Sequence, residues 1–185
     1  MERFRFMVVL VFMGIMMLTM GTAHAKWDVT LRPGLGIFGD AIGYHIKFGA
    51  RADVDQIFYN GIPTAQNIVA GASAFLSGAD TGTASIFQIG AGFDSGYRIE
   101  IPIQDFPRLS ITPMVSFGLS YGNLTSALLG SSQKFGVFVT PGLEVTLLLA
   151  NPIQVGFDFG YSFFFYDETV TELNISLVGL YTFNM

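Results

Sequence analysis

The sequence has no cysteine, one tryptophan and two histidines, and only 12% of its 185 residues are charged. Without cysteine there is no disulfide, no thiolate metal centre and no lipidated cysteine of the lipoprotein kind. His24 and His45 form no ligand cluster, so neither a metal nor another cofactor is expected. A soluble domain usually carries about 25% charged residues. A chain so sparsely charged, and rich in aromatics and glycine, has difficulty covering itself in water. The net charge of −5 argues against nucleic acid as a partner.

Long apolar runs are scarce as well. The run Met7–Met20 follows Arg3 and Arg5 and precedes the small-residue site Ala23-His24-Ala25. It is short for a bilayer span and has the layout of a cleaved export signal. The expected organisation is a signal over residues 1–25 and one domain over 26–185, in which seven basic residues face thirteen acidic ones. The uncharged stretches Gln56–Ala79 and Leu109–Gln133 are studded with Gly, Ser, Thr and Pro, which speaks against spanning helices.

What is present is a period of two. From Ile42 to Asp55, Ile42, Tyr44, Ile46, Phe48, Ala50, Ala52 and Val54 alternate with Gly43, His45, Lys47, Gly49, Arg51, Asp53 and Asp55. Successive strand side chains point to opposite faces, so this strand is apolar on one face and polar on the other. The same pattern predicts strands over Trp27–Phe38, Ala84–Ile103, from Leu109 to about Tyr121, over Lys134–Leu149, after Asn151-Pro152, and from Asp167-Glu168 to the C-terminus. Thr64–Ser77 alternates weakly, and a short helix competes there with a strand. Even strand number and termini on one side, the rule for bacterial barrels, favour a third strand. The glycines follow the same period and form no phosphate-binding motif. Pro33, Pro113 and Pro141 fall within strands, where the lost N–H predicts bulges.

Alternation alone does not say which face points out. A soluble barrel around a ligand would need a hydrated exterior, yet the polar faces hold mainly Gly, Ser and Thr. The bulky Phe, Tyr, Leu and Ile are too many for an eight-stranded interior. In lipid every backbone group must be satisfied internally, which leaves helices and closed barrels. The expected fold is all-β: an antiparallel up-and-down eight-stranded transmembrane β-barrel, monomeric, in the outer membrane of a didermic bacterium. Aromatics near strand ends suit the interfacial girdles: Trp27, Phe106, Tyr181 and Phe183 at one end, Tyr121, Phe135, Tyr161, Phe163 and Phe165 at the other.

The stretch Ile111-Thr112-Pro113-Met114-Val115-Ser116-Phe117-Gly118-Leu119-Ser120-Tyr121-Gly122 resembles a strand pattern of the small outer-membrane barrels of the OmpA/OmpX and opacity-protein type. Thr140-Pro141-Gly142-Leu143 echoes it. The ending also looks like the assembly signal of such barrels, with Tyr181 and Phe183 in place but Met185 where the last residue is usually Phe. The resemblance implies outer-membrane lipid and lipopolysaccharide as surroundings and the barrel-assembly machinery as a partner of the C-terminal strand. It says little about activity.

By parity Arg32, Lys47, Arg51, Arg98, Asp94, Glu100, Glu144 and Asp158 point inward and are expected to pair as a lumen charge network, because an unpaired buried charge is very costly. A polar core that fills the barrel is favoured over a narrow pathway for passive transport of small solutes. A lipid-A-modifying enzyme is disfavoured: His45 is the lone histidine after residue 25 and no Ser/His motif surrounds it, so no catalytic residue is assigned. The stretch Asn123–Gln133, expected as the longer outer loop, offers Leu124, Leu128 and Leu129 for contact with a ligand, host surface or lipopolysaccharide.

Overall fold

The computed structural model describes residues 26–53, 67–102, 108–126 and 130–184. They form β1 (Lys26–Phe38), β2 (Ala41–Asp53), β3 (Ile68–Asp80), β4 (Ala84–Tyr97, resumed as Ile99–Ile101), β5 (Leu109–Ser126), β6 (Gly130–Ala150), β7 (Ile153–Phe165) and β8 (Thr169–Asn184). Each strand pairs antiparallel with its neighbour in sequence, and β1 pairs with β8. The result is a closed eight-stranded up-and-down barrel with no free sheet edge along its wall. The weakly alternating segment is a strand, running from Ile68 to Asp80.

Orientation of the faces follows the parity of each strand. On β2, Ile42 is 66% and Phe48 57% exposed, while His45, Lys47 and Arg51 are buried. The exterior is a continuous apolar surface that includes Leu31, Phe93, Phe117, Phe157, Ile175 and Leu177. The interior is polar, with Thr30, Ser73, Gln88, Thr112, Ser116, Thr146 and Ser176 buried. Trp27 keeps the outward parity of its cross-strand partners Ala52 and Phe183 but not the exposure. It is buried against Ala52, Ala50 and Phe183 instead of standing exposed at a girdle. Tyr181 and Phe135 are exposed as a girdle requires; Phe106 lies outside the described residues, as do Met185 and residues 1–25.

The three prolines interrupt the ladder without bulging it. Between β1 and β8 the register passes from Leu31↔Gly179 to Gly34↔Ser176 with no shift, skipping Pro33. Between β6 and β7 it passes from Val139↔Phe163 to Gly142↔Gly160, skipping Pro141. Between β4 and β5 the register passes from Gly96↔Met114 to Ile99↔Ile111 with no shift, skipping Pro113. Proline removes one donor, but its φ is compatible with an extended chain, so a missing rung suffices. The one register shift of the β6–β7 pair lies instead between Leu148 and Ala150.

At the end away from the termini, β1 and β2 are joined by Gly39-Asp40, with Gly39 at φ 57° in the left-handed region that a tight turn needs. The segment Asn123–Gln133 is not the loop expected from its composition. Asn123↔Gln133 through Ser126↔Gly130 are paired, so β5 and β6 stay joined as a hairpin up to the rim, flanked by β4 as far as Ala84↔Ser126. Its polar residues can extend the ladder because the hairpin's own partner satisfies their backbone.

Candidate functional site

Parity sends one set of side chains from every strand into a narrow lumen, where they form successive layers. In the central layer Glu144 of β6 receives two arginines. Arg32 Nη2 donates to Glu144 Oε2 at 2.9 Å, and Arg51 Nη2 donates to Oε1 at 2.5 Å. Asp94 of β4 accepts from Lys47 Nζ at 3.0 Å and from Ser73 Oγ at 2.8 Å, and Lys47 also donates to Ser116 Oγ at 2.7 Å. Arg32 lies 3.7 Å from both Asp94 and Asp158, an ionic contact longer than a hydrogen bond. Arg32 and Glu144 are each 1% exposed, so these groups have exchanged water for one another.

Toward the termini the network continues through Asp28. It pairs with Arg98, lies 3.7 Å from Arg51 Nε and accepts from Thr182 Oγ1 at 2.7 Å. Arg98 reaches Asp53 at 3.3 Å. The structure thus brings together Arg32, Lys47, Arg51, Asp94, Arg98, Glu144 and Asp158. Glu100 is not among them. It pairs with Arg108 at 3.1 Å, with the two side chains 45% and 59% exposed. The parity assigned to it is that of a lumen residue, but Ile99–Ile101 is exposed throughout, at the barrel's end where the wall no longer shields it. Asp28 and Asp53 complete the network and were readable as polar-face residues near strand ends.

Toward the opposite end, His45 Nδ1 lies 2.8 Å from Glu172 Oε1, and Ser77 Oγ donates to Glu172 Oε2 at 3.2 Å. The carboxylate sits between the histidine and the hydroxyl. In a Ser–His–acid catalytic array the histidine stands between the other two so that it can take the hydroxyl proton. This order, with Glu172 fully buried, is that of a packed polar group. Glu172 lies on the inward parity of β8 and is the residue that sequence reasoning missed here.

Above this pair lies an aromatic layer that parity also turns inward. Phe75, Phe138 and Phe164 pack together, with Phe75 and Phe138 edge to face at 5.0 Å and His45 stacked on Phe75 at 5.8 Å. Gly90 makes room for it, since a Cβ there would run into the Phe75 ring. Tyr166 stacks on Phe164 at 6.2 Å and accepts from Gln88 Nε2 at 3.3 Å, and burial pushes its phenol pKa upward. Below the aromatics the enclosed space beside His45, Lys47, Met114 and Asp158 is about 20 Å³, room for about one water.

Above them a larger cavity of about 510 Å³ opens at the mouth, lined in part by Leu124. Leu124 therefore faces the inside of the rim; Leu128 and Leu129 lie outside the described residues. Among the described residues no group of His, Asp and Glu is arranged to hold a metal ion.

No family model matches the chain, and no curated protein matches it in sequence. Solved structures do. A major outer membrane protein from Thermus thermophilus superposes with a TM-score of 0.52 at 14% identity, covering 86% of this chain and 99% of that one. Neisserial surface protein A gives 0.49 at 15% identity, covering 86% and 97%. The N-terminal β-barrel domain of Pseudomonas aeruginosa OprF gives 0.45 at 12%, covering 88% and 99%. The chain has the fold of the small eight-stranded outer-membrane barrels.

Proposed function

We propose that this protein is an integral outer-membrane barrel with a side-chain-filled lumen, serving a structural or surface-interaction role and doing no catalysis. The observation that carries the reading is the stacking of two seals across one bore. Arg32, Glu144 and Arg51 close it with ions, and Phe75, Phe138 and Phe164 close it with rings. An eight-stranded barrel is just wide enough for side chains to fill, and the space left between the layers is about 20 Å³. The apolar exterior supports a lipid environment, because such a surface would be poorly tolerated in water. Export through a signal over residues 1–25 and assembly through the C-terminal strand belong to the same reading.

Planar-bilayer recording of the purified protein tests it. The expected trace stays at the bare-bilayer baseline. Reproducible, ion-selective steps would instead support a narrow passive pore.

A further inference from the structure

The inward face changes chemistry along the bore. Through the central layers it is ionic and polar, but beyond the aromatic layer it is mostly apolar, with Phe38, Ala41, Ala79, Ile86, Leu124 and Val170 from β1, β2, β3, β4, β5 and β8, joined by Ser132 and Lys134 of β6. Ile86 and Leu124 are direct cross-strand partners. Val170 also packs on the Phe75–Phe138–Phe164 cluster, so the aromatic layer is the floor of the cup. The enclosed volume of about 510 Å³ falls in the size class of small-molecule sites, which lie in the mouths of barrels among other places. An apolar recess held open to water gains free energy when an apolar group displaces that water.

The rim supplies the selectivity. Asp40, Asp80, Asp167 and Glu168 stand exposed at the turns around the mouth. Lys134 is the one cation at this end among the described residues, and it is engaged by Asp167. The field at the entrance is therefore negative above an apolar cup. An anionic amphiphile such as a fatty acid would have its apolar part accepted and its head repelled.

We propose that this cup binds a small hydrophobic cation, its apolar body on Ile86, Leu124 and Val170 and its ammonium at the acidic rim. The proposal rests on the reading of a sealed barrel whose mouth faces outward.

The test uses the full-length folded protein in phosphatidylcholine nanodiscs, with naphthylmethylamine as the probe, naphthoate as its anionic counterpart and empty nanodiscs as the blank. The amine is expected to show saturable single-site binding above the blank and naphthoate none. Removing two rim charges with Asp167→Asn and Glu168→Gln should weaken amine binding roughly threefold to tenfold, and raised salt should act in the same direction. Ala84→Trp, placed on the cup wall, should abolish it. Should that variant fail to fold by circular dichroism, Ala41→Leu fills the same space.

Amine uptake equal to the blank, equal affinity for amine and naphthoate, or undiminished binding in a folded cup-filled variant would each overturn the proposal. The bilayer recording is read separately. Conductance together with variant-sensitive probe binding would sink the sealed-lumen reading and leave the cup standing.

Discussion

Arg32 on β1 and Glu144 on β6 meet inside the lumen, Nη2 to Oε2 at 2.9 Å, with both side chains 1% exposed. They are 112 residues apart in sequence, and the barrel closure alone brings them together. Glu144 also receives Arg51, so its removal strands two guanidiniums in a space that water barely enters. Glu144→Ala is expected to destabilise the folded barrel by about 3–5 kcal/mol, the usual cost of breaking a buried pair from one side. Urea unfolding in lipid vesicles, compared with the parent, checks it; a midpoint unchanged within error would mean that the network carries no net stability.

Leu177 on β8 is 58% exposed on the outer wall, about midway along the strand. If that wall faces hydrocarbon, Leu177→Arg should cost about 2–4 kcal/mol, the value for a cation near the bilayer midplane. The same charge placed at Ser132, on the exposed hairpin rim, should cost close to nothing. Folding yield and unfolding midpoint in vesicles separate the two. Equal tolerance at both positions would remove the case for a lipid-facing exterior.

How far such placements could be read in advance depended on parity more than on residue type. The alternation in β2 turned Lys47 and Arg51 inward without any knowledge of their partners, and Asp94 and Glu144 followed from their own strands in the same way. Where residue type was weighed against parity, the reading fell short. Phe138 and Phe164 sit on inward positions, yet aromatics were sought on the outer wall, so the ring layer went unrecognised. Parity is silent about depth, which is why Glu100 was counted as a lumen residue although it stands in water with Arg108. Nor does composition reveal that Asn123–Ser126 and Gly130–Gln133 pair, because polar residues suit a solvated hairpin as well as a loop.

Gly92 on β4 and Gly118 on β5 lie directly opposite each other. A Cβ on Gly118 would run into the Ala91 carbonyl and the Gly92 Cα, and one on Gly92 into the Phe117 carbonyl. Neither obstacle is a flexible side-chain end, so the backbone itself must shift. Gly118→Val is expected to destabilise by about 1–3 kcal/mol, as overpacking does. The refolded fraction in vesicles measures it, and full recovery at parental stability would show that the wall relaxes more easily than its geometry suggests.

Phe164 is fully buried among Phe75, Phe138 and Tyr166, and truncating it should leave a hole in the ring layer. Phe164→Ala is expected to cost about 3–5 kcal/mol of stability, since a large buried ring is lost and its neighbours are anchored to separate strands. The ionic layer lies deeper in the same bore and shares no side chain with the rings: Arg32, Arg51, Lys47, Asp94 and Glu144 remain locked to one another when Phe164 is gone. The variant should therefore unfold earlier yet pass no more current than the parent in a planar bilayer. Ion flow through Phe164→Ala would mean that the rings alone hold the lumen shut, and that the arginines and carboxylates below them line a conducting path.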